Sequence, residues 1–587
     1  MVARFEVSLS LKRVALALSC GMSITGSVAA VPAQDLLHNF RGRRLWQIAA
    51  VAPVGDIDGD GVNEIIIGGH NAGLTQNGFT NGGGGVWVFS GQSGALLHGP
   101  YFGPSGYELG FGVGGVGDFD GDGIEDFAGG STDQGSNPFG HVLVWSGVDG
   151  TLLADVQTPQ TIFPEHGFGK LIKRLGDING DGRDEFIVAN SNQAVFDAFV
   201  IEGGTGQALR RYGGGGNPTP LAALGELDGD GVVDYGVGLG NPWVGNNLLG
   251  ACIVYSGATG IELYRVKGLH YSDVLGASVV SFSDLDGDGV PDFGSSSAGT
   301  LFGCPNNLNP KYMAVFSGVD GAYIKSFSAP RTPVYVVGCQ FNRTHTGMDE
   351  ANGDVNGDGY RDLIAGAKES GLFFDPFYGI LLSGTICVYS GRTGTMLWRK
   401  KPGFQGLAIM GDLDGDGLAE WAYGYTLAYE NGGAAEGAVS IYRGAIGDAD
   451  SVCTSTQNST GSAARILTDG PISVGNNELL LFVEGAVPHQ TGRFFYGPAL
   501  TQVPFMDGFL CVDGGAQGVT YLGTPQVIDN QGQVLMPVDF TQAPLNAGAG
   551  AWTPGSTWYV QFLYRDPAQT AGTGMNLTDA LQITFTP

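Results

Sequence analysis

The stretch "DIDGDGVNE", residues 56–64, places four carboxylates in nine positions. Like charges packed this closely repel, and nothing is gained by crowding them without a counter-charge. Nearly the same string returns six more times. It reads "DFDGDGIED" from Asp118, "DINGDGRDE" from Asp177, "ELDGDGVVD" from Glu226, "DLDGDGVPD" from Asp284, "DVNGDGYRD" from Asp354 and "DLDGDGLAE" from Asp412. The starts are 62, 59, 49, 58, 70 and 58 residues apart. A recurring period of this size is the signature of a repeat architecture.

Carboxylate or amide oxygens stand at positions one, three and five, a carboxylate stands at nine, and position seven adds a backbone carbonyl. The candidate ligands are Asp56, Asp58, Asp60, Val62 and Glu64 in loop one, and Asp118, Asp120, Asp122, Ile124 and Asp126 in loop two. Loop three offers Asp177, Asn179, Asp181, Arg183 and Glu185, and loop four Glu226, Asp228, Asp230, Val232 and Asp234. Loop five offers Asp284, Asp286, Asp288, Val290 and Asp292. Loop six has Asp354, Asn356, Asp358, Tyr360 and Asp362, and loop seven Asp412, Asp414, Asp416, Leu418 and Glu420. Such hard oxygen sets suit Ca²⁺, which takes about six to eight oxygens, whereas softer metals want His or Cys. One DG-rich string alone would be only a hairpin turn. Seven copies that keep the oxygen positions predict up to seven Ca²⁺ sites, and the loops hold 28 of the 57 acidic residues. An EF-hand would need Glu at position twelve, where this chain has Ile67, Gly129, Val188, Val237, Ser295, Ala365 and Tyr423. The Asn residues of loops three and six predict weaker sites, and the longer Glu226 a distorted one.

A second motif keeps step with the first. It reads "VWVFSGQSG" at 86–94, "VLVWSGVDG" at 142–150, "CIVYSGATG" at 252–260, "MAVFSGVDG" at 313–321 and "ICVYSGRTG" at 386–394. Weaker copies are "AFVIEGGTG" at 198–206 and "VSIYRGAIG" at 439–447. Each is an alternating strand entering a Gly turn. One repeat therefore reads strand, acidic loop, strand, variable loop, strand, S-G-x-x-G turn, strand, which is one propeller blade. The expected fold is all-β: a seven-bladed propeller over 34–447 with calcium loops, then a C-terminal β-sandwich or jelly-roll module over 455–587. The last repeat lacks a fourth strand, and residues 35–40, "DLLHNF", are expected to supply it by pairing near 438–443.

The order F-G, strand, acidic loop, strand, G-x-V-x-V resembles the FG-GAP repeats of integrin α-subunit propellers. "FGVGGVGDFDGDGIEDFAGG" from Phe111 and "FGKLIKRLGDINGDGRDEFIVAN" from Phe168 carry the likeness best. It implies Ca²⁺ on one face and ligand binding on the other. Departures are Leu275-Gly276 in place of F-G, Glu226, and a polar sixth inner strand, "TGMDEANGD".

Net charge is −29, which disfavours nucleic acid and anionic membrane as partners. Arg4, Lys12 and Arg13 before "VALALSCGMSITGSVAA" read as an export signal over residues 1–30, with no transmembrane segment expected in the mature chain. The expected location is secreted or at the cell-envelope surface. Export leaves six cysteines. Cys252 and Cys387 sit on third strands of blades four and six, too far apart to bridge, while Cys453–Cys511 and Cys304–Cys339 are candidate disulfides.

No H-E-x-x-H, G-x-S-x-G, G-K-[ST] or C-x-x-C motif is present. His166, His270 and His345 precede inner strands and would matter only if they converged. The sequence thus points to a calcium-binding adhesion or ligand-binding module for an extracellular protein or glycan. The alternatives are a polysaccharide-acting enzyme and a structural envelope component. Loops on the face opposite the acidic strings carry Phe139, Trp243, Phe373, Phe374, Phe377 and Tyr378, which are the expected ligand surface.

Overall fold

A computed structural model describes residues 6–7, 36–41, 48–70, 83–104, 107–131, 140–157, 168–189, 197–213, 221–239, 250–269, 275–297, 312–328, 353–368, 384–400, 406–427, 436–568 and 572–587. Among them the regular structure is β, apart from one 3₁₀ turn at Gly515–Gln517. The described residues of the repeat region form seven antiparallel sheets in which chain neighbours pair. Sheet one is Ile48–Val54, Glu64–Gly69, Gly85–Phe89 and Leu96–Phe102. Sheet two is Gly112–Gly117, Asp126–Ser131, His141–Trp145 and Leu152–Gln157. Sheet three is Leu171–Gly176, Glu185–Ala189, Asp197–Ile201 and Ala208–Gly213. Sheet four is Leu221–Gly225, Asp234–Leu239, Ala251–Tyr255 and Glu262–Lys267. Sheet five is Leu275–Ser281, Phe293–Ser297, Tyr312–Phe316 and Tyr323–Ser328. In sheet six the described strands are Leu363–Lys368, Gly384–Tyr389 and Met396–Lys400. Sheet seven is Gly406–Gly411, Glu420–Leu427 and Glu436–Tyr442, completed by Leu36–Arg41.

The second strands explain why the sequence does not alternate there. "EIIIGG" of sheet one and "EFIVA" of sheet three are buried throughout, because both faces are covered by neighbouring sheets. A strand covered on both faces reads as a continuous apolar run. Fourth strands lie at the rim and are partly exposed. Consecutive sheets share apolar clusters: one with two, two with three, three with four, four with five, five with six, and six with seven. Phe40, Ala408 and Val439 of sheet seven pack with Ile65, Trp87 and Phe89 of sheet one, so the succession returns to its start. The closing strand is the expected one: Leu36 pairs Tyr442, His38 pairs Ile441 and Arg41 pairs Ala438. Glu6–Val7 pairs in turn with Phe40 and Arg41.

Rim side chains tie several of the sheets to the turn of the next. His38 Nε2 meets the Gly91 carbonyl at 2.8 Å and His98 Nε2 that of Gly147 at 2.7 Å. Tyr264 Oη donates to Gly318 O at 2.5 Å, and Lys325 Nζ to Gly391 O at 2.7 Å.

After sheet seven, Asp448–Val452 begins the C-terminal strands by pairing with Met575–Thr584. It lies between the expected end of the repeats and the expected start of the module. Among the described residues ten strands follow the repeats, in sheets of five, three and two. Leu581, Ile583 and Phe585 all face the core, as their alternation predicts. The module packs on sheet six: Ile472 N donates to Met396 O at 3.0 Å, Arg399 Nε to Glu478 at 2.7 Å, and one apolar cluster spans both. A disulfide joins Cys453 to Cys511, with Cα atoms 6.3 Å apart. Cys252 and Cys387 are buried in different sheets. Cys304 and Cys339 lie outside the described residues.

Candidate cation loops

In six of the sheets the acidic string joins the first strand to the second, and in sheet six it runs into Leu363–Lys368; similar backbone bonds wind the strings. In loop one, Asp56 Oδ1 accepts from Gly59 N at 2.7 Å and Asp60 N at 3.0 Å, and Oδ2 from Gly61 N at 2.9 Å. Gly59 and Gly61 hold φ of +80° and +88°, a region that favours glycine. The position-seven N–H groups of Val62, Ile124, Arg183, Val232, Val290, Tyr360 and Leu418 each donate at 2.9 Å to the position-five carboxylate. Loop four departs as its Glu predicts. Glu226 Oε1 accepts from Asp228 and Gly229, so the bonds shift toward the start of the loop.

These donors use only part of each carboxylate. Three oxygens lie within 4.8 Å of one another in five of the loops. The groups are Asp56, Asp58 and Glu64; Asp118, Asp120 and Asp122; Glu226, Asp228 and Asp230; Asp284, Asp286 and Asp292; and Asp412, Asp414 and Glu420. Loops three and six are different. There the amide Nδ2 of Asn179 donates to Asp181 at 3.2 Å and Glu185 at 3.1 Å, and that of Asn356 to Asp358 at 3.3 Å.

The position-nine carboxylates sit at the start of the second strand, where they are fully buried. Burial pushes Glu64 and Glu420 up to about 8, Asp126 to about 7, and Asp234 and Asp292 to about 6. It raises Asp362 and Glu185 as well. Removing a carboxylate from water without a counter-charge disfavours its ionised form. Glu420 Oε1 is buried with no hydrogen-bond partner, beside Asp412 and Asp414. A buried carboxylate oxygen with no donor, on a residue clustered with two other carboxylates, fits a hard divalent cation, whose charge would reverse the shift. Asp56, Asp58, Asp60 and Glu64, with their counterparts in the other clustered loops, would hold it.

The S-G-x-x-G turns prove to be part of this site, a role their sequence did not disclose. Gly147 N donates to Asp126 at 2.9 Å, Gly257 N to Asp234 at 2.7 Å and Gly318 N to Asp292 at 3.1 Å. Ser317 Oγ donates to Asp288 at 3.2 Å. Turn and loop therefore share one end of each sheet, as the strand order requires. The signal available was that the two motifs recur in step. Sequence reading also missed Arg443, whose Nε meets Asp414 Oδ2 at 2.9 Å, and Arg392, whose Nε meets Asp358 Oδ2 at 3.2 Å.

His166, His270 and His345 lie outside the described residues, as do Phe139, Trp243, Phe373, Phe374, Phe377 and Tyr378. Among the described residues no helix is long and apolar enough to cross a membrane.

The FG-GAP repeat family matches residues 346–379. Integrin alpha-5 of Xenopus laevis is 27% identical over 229 residues, which are 34% of this chain and 19% of that protein. The chain thus aligns with about a fifth of that relative's length. Among solved structures, the Dos1 propeller is 11% identical at a TM-score of 0.37, covering 69% of this chain and 94% of that one. A chain of the Mitotic Checkpoint Complex is 10% identical at 0.35, covering 73% and 99%. Rhamnogalacturonan lyase YesW is 14% identical at 0.33, covering 71% and 75%.

Proposed function

We propose that this chain, which carries the FG-GAP repeat and resembles an integrin α-subunit, is a seven-bladed propeller that binds Ca²⁺ and presents an extracellular ligand-binding face. The observation that carries the metal reading is the partnerless, buried Glu420 Oε1 beside two further carboxylates, in a geometry that four other loops approach. Calcium here is structural. It supplies the counter-charge that lets acidic loops stay wound at one end of the sheets, while the loops joining second to third strands leave from the other end. Those loops contain Phe139, Trp243, Phe373, Phe374, Phe377 and Tyr378, which we propose as the ligand surface for a protein or glycan. Aromatic groups on loops over a rigid scaffold suit such contacts.

The same reading divides the chain into an export signal over 1–30, a propeller over 34–447 and a β-sandwich module over 455–587, and places the mature protein outside the cell or on its envelope. The integrin likeness and the Cys453–Cys511 disulfide favour that location. Elemental analysis of the purified chain, with a glycan and matrix-protein array run in Ca²⁺ and in EDTA, tests both halves. Bound calcium and a ligand lost on Trp243→Ala at unchanged melting are expected. A chain that binds no calcium, or a ligand that survives Trp243→Ala and Phe377→Ala together, overturns the corresponding half.

A further inference from the structure

Loop six does not fit the cation that the five clustered loops fit. Both oxygens of its position-five carboxylate are answered by the protein. Asp358 Oδ1 accepts from Tyr360 N at 2.9 Å. Asp358 Oδ2 accepts from Asn356 Nδ2 at 3.3 Å, Ser390 Oγ at 3.1 Å and Arg392 Nε at 3.2 Å. Arg392 holds the turn position filled by Gln92, Val148, Ala258 and Val319 in the other S-G turns, none of which is charged. Its remaining nitrogens reach the strand that leads into the C-terminal module. Nη1 donates to Asp450 Oδ1 at 2.8 Å, and Nη2 to Asp448 Oδ2 at 2.8 Å and Asp450 Oδ2 at 3.0 Å. The loop is roofed as well. Val355 O accepts from Ala445 N at 2.9 Å and Asn356 O from Gly447 N at 3.3 Å, and Asn356 is buried where Asp58 in loop one is exposed.

Loop seven is the control. Arg443 also touches one of its carboxylates, yet Asp412, Asp414 and Glu420 stay clustered and Glu420 keeps its partnerless oxygen. In loop six the guanidinium fork is spent bidentately on Asp450 and singly on Asp358 and Asp448, a planar pattern that Arg makes well. We propose that loop six binds no divalent cation: Arg392 replaces the ion and anchors the loop to Asp448 and Asp450 of the strand that leads into the C-terminal module. The repeat matched by the family model is therefore the one that has exchanged metal for a protein cation. This rests on the calcium reading for the remaining loops, but its anchoring half stands apart from it.

The test uses the full chain. Calcium bound at saturation is counted for wild type, Asp286→Asn and Asp358→Asn. Asp286→Asn should lose one equivalent and Asp358→Asn none; loss of one equivalent from Asp358→Asn overturns the proposal. Hydrogen exchange of the peptide around 353–363 is followed with and without EDTA. Its protection should survive EDTA in wild type while loops one and five lose theirs, and should fall in Arg392→Ala even with Ca²⁺ present. Deprotection of loop six by EDTA, or full protection in Arg392→Ala, counts against it. If no loop responds to EDTA and wild type binds no calcium, the calcium reading fails, and the Arg392→Ala result alone decides the anchor.

Discussion

The repeat sheets and the C-terminal sheets are both antiparallel, yet their buried acids are balanced differently. In the module, Asp579 accepts from Ile466 N at 2.8 Å and Ser451 Oγ at 2.7 Å, so protein donors satisfy it, while Asp566 keeps a partnerless Oδ1 but stands in none of the acidic clusters of the described residues. In the repeats, Glu420 is equally inaccessible and keeps an oxygen with no donor. A buried polar group without a partner costs free energy, so Asp579 is complete in the chain itself, whereas Glu420, set among other carboxylates, is the acid that the proposed cation would complete. The cross-links differ in the same way. The module is fastened by Cys453–Cys511, and the repeats by a strand borrowed from the start of the chain.

The most damaging way to probe that contrast is to take the borrowed strand away. A chain lacking residues 34–42 loses Leu36–Arg41 and with it the buried Phe40, leaving the edge of Glu436–Tyr442 unpaired, which invites aggregation. The repeats should aggregate or melt early while the module's transition is kept. Normal behaviour in calorimetry and light scattering would break the closure. Next comes the ion. A site held at roughly 10–100 times its Kd contributes about 1.4–2.7 kcal/mol, so emptying several loops should lower the repeat transition far more than the module's. Equal shifts of both transitions in EDTA would erase the contrast.

The pH dependence sharpens it further. Glu64 and Glu420 are raised to about 8 in the folded chain by burial, against an unfolded value near 4.5. A raised carboxyl binds more protons folded than unfolded. Its metal-free repeats should therefore be most stable below about pH 4.5 as far as these groups decide, and lose stability as pH climbs toward 8. Ca²⁺ should abolish that fall, because the ion favours the charged form. Melting in EDTA and in Ca²⁺ across pH 5–8 checks it, and a stripped protein that gains stability over that range contradicts it.

Much of this was legible beforehand because it was periodic. The loop strings returned at every repeat, so their oxygens, their companion turns and the fourth strand missing from the last repeat, which 35–40 supplies against 438–443, could be aligned against one another. The Leu581, Ile583 and Phe585 alternation was equally plain, since one face of that strand is covered and period two survives. What escaped was whatever depends on a single position. Arg392 looks like a solvated turn residue until the chain brings Asp448 and Asp450 across from the next segment. The docking of the module on sheet six escaped too, because Arg399–Glu478 and the cluster around Trp398 join residues about eighty apart with no shared motif. The string marks Asn179 and Asn356 as weaker ligands; that their amides donate into the site follows from neighbours a string does not display.

On the module side, Cys453→Ser opens a disulfide spanning 58 residues of sequence. A native cross-link of this kind contributes about 2–4 kcal/mol. The loss should fall on the module's transition alone. If the repeat transition drops by the same amount, the two regions unfold as one unit through the cluster they share, and the contrast drawn above is one of chemistry but not of cooperativity.

The smallest expected effect compares one bond in each region. Tyr264 Oη donates to Gly318 O across two repeat sheets at 2.5 Å, and Tyr496 Oη donates to Gly550 O inside the module at 2.8 Å. Both rings are packed, so Phe keeps the apolar contact and removes only the hydroxyl. A neutral hydrogen bond is worth about 0.5–1.5 kcal/mol net, and each Tyr→Phe change should cost that much in its own transition. The two should part in how the cost is shared. Tyr264 is one of several rim clamps, alongside His38, His98 and Lys325, and each joins a different pair of sheets. If the clamps act independently, Tyr264→Phe combined with His98→Phe should be additive, because distant sites that share no partner usually are. Denaturant midpoints of the two single variants and the double decide it. A double-variant loss well beyond the sum would show that the repeat sheets feel each clamp all the way round the succession, whereas the module feels Tyr496 only locally.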